Sequence, residues 1–379
     1  MNHFTKTLLL VLGTAAIAAC TAKPSLTKSG LDPAAFDGEY NGAKTALYTL
    51  TNASGMEVCI TNFGGRIVSI AVPDKDGVLR DVVLGFDKVA DYFPENNASD
   101  FGASIGRYAN RINQGRITLD GVEYQLPQNN FGHCLHGGPT GWQYQVYDVL
   151  EADSRHIKIQ RISPDGDNAF PGEVHATTTY VLTDDNRIEI TYEATTDKTT
   201  VINMTNHSYF NLGGDPAKPV TDDILCINAA AFTPVDDTYM TTGEIAPVEG
   251  TPFDFTAPKP IGRDIDMDCK QIRFGNGYDH NWVLSTGGDM TKVAVELFSP
   301  ATGICLDVYT DEPGIQVYSG NFLDGTQTGK KGIVYQQRTG ICLETQKYPD
   351  SPNKTEWPSP VLRPGETYTS HCTFAFSVK

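Results

Sequence analysis

The chain has 379 residues, 46 acidic against 29 basic, for a net charge of −17. That excess excludes a nucleic-acid binder, whose affinity comes from basic side chains neutralising phosphates, and fits a soluble, self-repelling particle with a neutral or cationic ligand. Aromatics at 10% and 36 glycines suit a packed, turn-rich globule rather than a disordered chain.

The first segment reads as an export signal. Lys6 precedes the short apolar run 8–19, too short to span a membrane as a helix. Ile17-Ala18-Ala19-Cys20 resembles a bacterial lipoprotein box, which implies removal of residues 1–19 and lipid on the Cys20 sulfur. The expected organisation is therefore a signal over 1–19, an anchor and tether over 20–40, and one domain over 41–379. The expected location is periplasmic or elsewhere in the cell envelope, with membrane contact only through that lipid. Among the remaining cysteines there is no CxxC pair. Cys59, Cys226, Cys305, Cys342 and Cys372 fall in strand-like runs and read as single thiols, mostly buried.

From residue 45 onward, short segments with a two-residue period follow one another: 45–51, 66–72, 156–162, 187–193 and 304–310. Gly, Pro, Asn and Asp clusters separate them. Amphipathic helical windows are nearly absent, with 86–93 the best candidate for a turn or two. A doubly wound fold needs crossover helices, and no fixed repeat points to a propeller. The expectation is an all-β, large antiparallel sandwich or barrel.

Several clusters carry possible chemistry. In 106–112, "GRYANRI", two arginines lie four apart, and a guanidinium fork can hold two hydroxyls in a defined plane. In 133–138, "HCLHGG", His133, Cys134 and His136 lack the further spaced ligands of a tight zinc site, so no metal is expected. The turn 168–172, "NAFPG", offers Phe170 as a flat face for a ring. The stretch 205–214, "TNHSYFNLGG", sets His207, Ser208 and Tyr209 between a β-type run and a glycine pair. Asp279 begins a strand in "GYDHNWVL". In "GICLETQKYPD", alternation puts Ile341 and Leu343 on one face and Cys342, Glu344 and Gln346 on the other. The segment 325–331, "GTQTGKK", has the wrong spacing for a P-loop and reads as a solvated loop.

"GRYANRI", "LHGG", "DGDNAFPG", "TNHSYFNLGG", "YDHNW" and "LETQKYPDSPN", in this order, resemble the aldose 1-epimerase (galactose mutarotase) family over essentially the whole chain after residue 40. The resemblance implies a galactose mutarotase-like supersandwich. It also implies interconversion of the α and β anomers of free hexoses such as glucose and galactose, with neither metal nor organic cofactor. It implies His207 as proton donor and Glu344 as proton acceptor, with Asn110, Arg111, His136, His207, Ser208, Tyr209 and Asp279 as the sugar-binding set. Such a mechanism calls for His207 and Glu344 on opposite sides of one sugar ring. The expected partner is a free monosaccharide, and the expected state a monomer. Two other readings compete: a non-catalytic sugar-binding sandwich, which needs no acid–base pair, and a hexose-phosphate epimerase, which needs a basic phosphate cradle.

Overall fold

A computed structural model describes residues 25–379. The signal and Cys20 lie outside the described residues. Three antiparallel sheets build the body, with nine, six and four strands, alongside several two-stranded ribbons. The alternating runs are the strands: Leu47–Thr51, Arg66–Pro73, His156–Ser163, Arg187–Thr196 and Ile304–Thr310. The nine-stranded sheet is centred on Arg187–Thr196, Tyr368–Val378 and Ile304–Thr310. The six-stranded sheet runs Tyr209–Phe210, Ile341–Gln346, Gly314–Tyr318, Asp279–Val283, Ala231–Thr233, Ala246–Pro247.

Period-two sorting decides which face of the six-stranded sheet is core. Phe232, Trp282, Ile315, Val317, Ile341 and Leu343 share one hydrophobic cluster with Ile190, Tyr192, Leu306, Val308 and Phe374 of the nine-stranded sheet. Burying such side chains is worth about 1.5–3 kcal/mol each, so the register of these strands is fixed. The other face must then carry the polar set. Asn281 pairs with Gln316 and Gln316 with Glu344, while Asp279 pairs with Tyr318, Tyr318 with Cys342 and Cys342 with Tyr209. Glu344 thus stands on an interior strand of the sheet.

Several expectations need correction. The 86–93 window holds only a 3-10 turn, Val89–Tyr92, and the one α-helix among the described residues is the unanticipated Lys270–Gly275. Six residues are too few to show a helical period. Much of the expected tether is folded on the body: Leu31 and Phe36 are buried in a cluster with Val68, Phe86 and Tyr92, and Gly38–Tyr40 pairs with Ala43–Thr45. Phe170 offers no flat face, since it is buried at 1% exposure under the Arg107 guanidinium. Arg107 itself is structural and buried, donating to the carbonyls of Pro171 and Gly172. Lys330 is not a solvated loop lysine. It is buried, donates to the Val68 carbonyl at 2.7 Å and pairs with Asp81 at 2.5 Å.

Candidate active site

The segment 205–214 reaches the polar face through a glycine. Thr205–His207 pairs with Ala103–Ile105, and the Gly102 N–H donates to the His207 carbonyl at 2.9 Å. Gly102 has φ +69, and a Cβ there would lie 1.9 Å from the Ile67 carbonyl oxygen, so no other residue lets the chain pass. Next along the chain, Tyr209 pairs with Cys342 and sets its ring against His207, 5.1 Å between centroids and 25° from parallel.

The result is a cavity of about 300 Å³, at the lower end of the small-molecule range of about 300–1,000 Å³. It is lined by Asn110, Arg111, His136, His207, Tyr209, Asp279 and Glu344 of the expected set. Ser208, also expected there, does not line it. His207 and Tyr209 flank Ser208 on the chain and take the cavity side. Asp100, Asn130, Tyr318 and Phe322 complete the wall without having been anticipated. Larger hollows of about 500 and 710 Å³ lie elsewhere, but neither brings a histidine to a carboxylate.

Nε2 of His207 is 3.4 Å from Oε1 of Glu344, with side chains 6% and 2% exposed. This corrects the expectation of groups on opposite sides of a ring, because 3.4 Å leaves no room for one between them. Two oxygens bonded to the same anomeric carbon can instead be met by an acid and a base standing side by side. Burial acts on both groups. It pushes the Glu344 carboxyl well above the usual range, helped by Asp279 and Asp100, and pulls the His207 imidazole down. His207 Nδ1 and Glu344 Oε2 are buried without a hydrogen-bond partner among the described residues. In the wall of a cavity, such atoms are open to a hydrogen bond from a bound molecule.

Around the pair, each polar side chain is pre-aimed. His136 Nδ1 accepts from the Asn110 N–H at 3.1 Å, so its proton sits on Nε2. Burial, then His207 and Arg111, hold this ring well below the ordinary histidine value, leaving a neutral donor. Asn110 and His136 both have left-handed backbones, φ +64 and +50, a strain tolerated chiefly at functional sites. Asp279 accepts from Gln316 Nε2 at 2.6 Å. Burial raises its carboxyl, while Arg111 and Gln316 oppose the rise. Sequence reasoning missed Gln316; the one available signal was a polar residue midway along the apolar run "GIQVY".

The triplet His133, Cys134 and His136 does not converge on an ion. His133 is tied to the Gln114 N–H and to Thr238, and Cys134 is buried in a separate apolar cluster. Groups with metal-ligand proximity do include His207 and Glu344: Asp100–His136–His207 and His207–Cys342–Glu344. Burial holds the Cys342 thiol well above its ordinary pKa.

A helix-poor antiparallel sandwich with a buried histidine–carboxylate pair in a polar cavity defines the galactose mutarotase-like class of β proteins. A profile of the aldose 1-epimerase family matches residues 46–375, and the chain belongs to that family. It is 42% identical to galactose mutarotase of Rattus norvegicus over 323 residues, 85% of this chain and 92% of that one. It is 41% identical to aldose 1-epimerase of Escherichia coli (strain K12) over 338 residues, 89% of this chain and 96% of that one. Among solved structures, an aldose epimerase homologue from C. elegans superposes with TM-score 0.82 at 31% identity, covering 88% of this chain and 99% of its own. Galactose 1-epimerase from Lactobacillus acidophilus gives 0.78 at 30%, covering 90% and 97%. The enzyme is an isomerase of this kind, acting on the anomeric centre of free aldoses.

Proposed function

We propose that Glu344 removes the proton from the anomeric hydroxyl of a free hexose, glucose or galactose, while His207 protonates the ring oxygen. The C1–O5 bond breaks and an open-chain aldehyde forms. Rotation about C1–C2 presents the other face of the carbonyl. His207 then takes back the hydroxyl proton as O5 attacks, and Glu344 returns its proton to O1. No net proton is consumed, so one proton held by the pair suffices.

The observation that carries this reading is the 3.4 Å pair in the wall of a cavity lined by hydrogen-bonding groups. A neutral sugar offers no charge, so orientation falls to Asn110, Arg111, the Nε2–H of His136, and Asp279. The phosphorylated-hexose alternative is disfavoured because Arg111 is the only Arg or Lys among the lining residues, and Lys330 is committed to Asp81. Polarimetry of freshly dissolved α-glucose, α-galactose and α-glucose 6-phosphate tests the assignment. The free sugars should equilibrate far faster with enzyme than without, and preference for the phosphorylated sugar would overturn it.

We further propose that the protein acts as an exported monomer held to a membrane by lipid on Cys20. The apolar run 8–19 and the residues before Cys20 support this. Metabolic lipid labelling should vanish in Cys20→Ser, and label that persists would refute the anchor.

A further inference from the structure

Arg111 is 5% exposed, and its side chain makes one hydrogen bond among the described residues, Nε–H to Asn130 Oδ1 at 3.1 Å. A single bond through Nε leaves rotation about the guanidinium stem unopposed. The second restraint is an aromatic ring. Tyr239 lies 5.1 Å from the guanidinium carbon, centroid to atom, close enough for its electron-rich face to stabilise a desolvated cation and fix its plane.

Tyr239 is itself held at some cost. Its backbone is left-handed, φ +64, unusual for a bulky residue. The loop carrying it is laced by Asp236, whose Oδ1 accepts from the Thr238 and Met240 N–H groups at 2.8 and 3.1 Å and from the Thr238 hydroxyl at 2.6 Å. The Thr238 hydroxyl also meets His133 Nε2 at 2.9 Å. His133 Nδ1 accepts from the Gln114 N–H at 3.0 Å, so the Nε2 proton is the one donated to Thr238. Burial and Arg111 lower this histidine, keeping it neutral. A continuous chain therefore joins the loop of Tyr239 to the loop of Asn130, which hold the Arg111 guanidinium group through the ring and the hydrogen bond. Phe131 and Phe322 close on the Tyr239 ring at 5.0 and 5.6 Å.

We propose that Tyr239 is a positioning residue for the reaction. Its ring face holds the Arg111 guanidinium in the plane in which both terminal amino groups meet sugar hydroxyls, and the His133–Thr238–Asp236 chain holds Tyr239 there. The inference rests on the reading of Arg111 as a sugar ligand. A structural filler would do as well with any side chain of similar bulk; a positioning ring will not.

The test is a double-mutant cycle on the full enzyme, measuring KM and kcat for α-glucose by polarimetry. Tyr239→Phe keeps the face and should stay within about twofold of the parent. Tyr239→Leu loses it and should raise KM about tenfold with a smaller change in kcat, at an unchanged thermal midpoint. In an Arg111→Gln background the same Leu substitution should add nothing, because the residue acts through Arg111. The inference is overturned if Tyr239→Leu leaves KM unchanged, if Phe and Leu behave alike, or if the Leu effect persists in Arg111→Gln. An Arg111→Gln enzyme with the parental KM would refute the ligand role of Arg111 and the inference with it. A raised KM in Arg111→Gln, together with a Tyr239→Leu that is silent in the otherwise unaltered enzyme, refutes the inference alone.

Discussion

Glu344 Oε1 and His207 Nε2 stand 3.4 Å apart, yet their strands are not paired with each other; the chain joins the Glu344 strand only two residues on, where Tyr209 pairs with Cys342. His207 comes from a strand paired with Ala103–Ile105, and Glu344 from one paired with Gly314–Tyr318. Burial disfavours the charged form of each, raising the carboxyl and lowering the imidazole, and so opposes the ordinary order in which the histidine holds its proton more tightly. A proton shared by two adjacent groups suits a cycle in which both give and take one within a single turnover.

The first prediction follows from that contact. The pair titrates as a unit holding one proton in its working state. Rate should fall on the acid side as a second proton binds and on the basic side as the last one leaves, giving a bell in kcat/KM. Glu344→Gln should lower kcat by about 10²–10⁴-fold and abolish the bell. His207→Gln should cost a similar factor, and the double variant little more than either, because the two act together. A Glu344→Gln enzyme that anomerises α-glucose at the parental rate would show that the base lies elsewhere.

Gln316 supplies a second. Its amide donates to Asp279, a carboxylate 7% exposed. Loss of a hydrogen bond to a buried charge costs about 1.5–3 kcal/mol, so Gln316→Leu should raise KM by about 10–100-fold. The sign with pH is fixed. Asp279 is already raised by burial, and removing a donor to its charged form raises it further. The defect should therefore be greatest at low pH and shrink as pH rises. KM measured across the pH range for parent and variant decides it, and a pH-independent defect would refute the role given to Asp279.

Asp223 supplies a third, in stability. It is 6% exposed, its Oδ2 has no partner among the described residues, and burial pushes its carboxyl up to about 6. A raised folded-state pKa means stability fully present below the ordinary aspartate value and lost as pH rises through about 6. The difference is about 2–3 kcal/mol. Asp223→Asn stays neutral, so its thermal midpoint should exceed the parent's at about pH 8 and match it at low pH. Anomerisation should be unaffected, because Asp223 does not line the cavity. Equal midpoints at both pH values would rule out a buried, ionising carboxyl.

The strands were legible because a buried sheet face repeats every two residues. Ile304–Thr310 matches the alternating run residue for residue, and Asp279 does begin its strand. The same alternation placed Glu344 on the face opposite Ile341 and Leu343. Phe170 and Lys330 were misread for one reason: an aromatic at a turn and a lysine in a glycine-rich loop look exposed until distant chain covers them. Arg107 covers the first, and Val68 and Asp81 the second.

What the sequence determined alone was the class of fold, the core face of the strand holding Ile341 and Leu343, and the residue types offered to the cavity, because local periodicity and side-chain chemistry are properties of the chain itself. Tertiary structure decided who meets whom. The register Asn281–Gln316–Glu344 put an unforeseen glutamine between two expected acids' strands. Passage of the chain past Ile67 at Gly102 set His207 beside Glu344 instead of across a ring from it. Those contacts depend on strand pairing between residues far apart in sequence, and burial in the finished sandwich is what raises the carboxyl and lowers the imidazole of the pair.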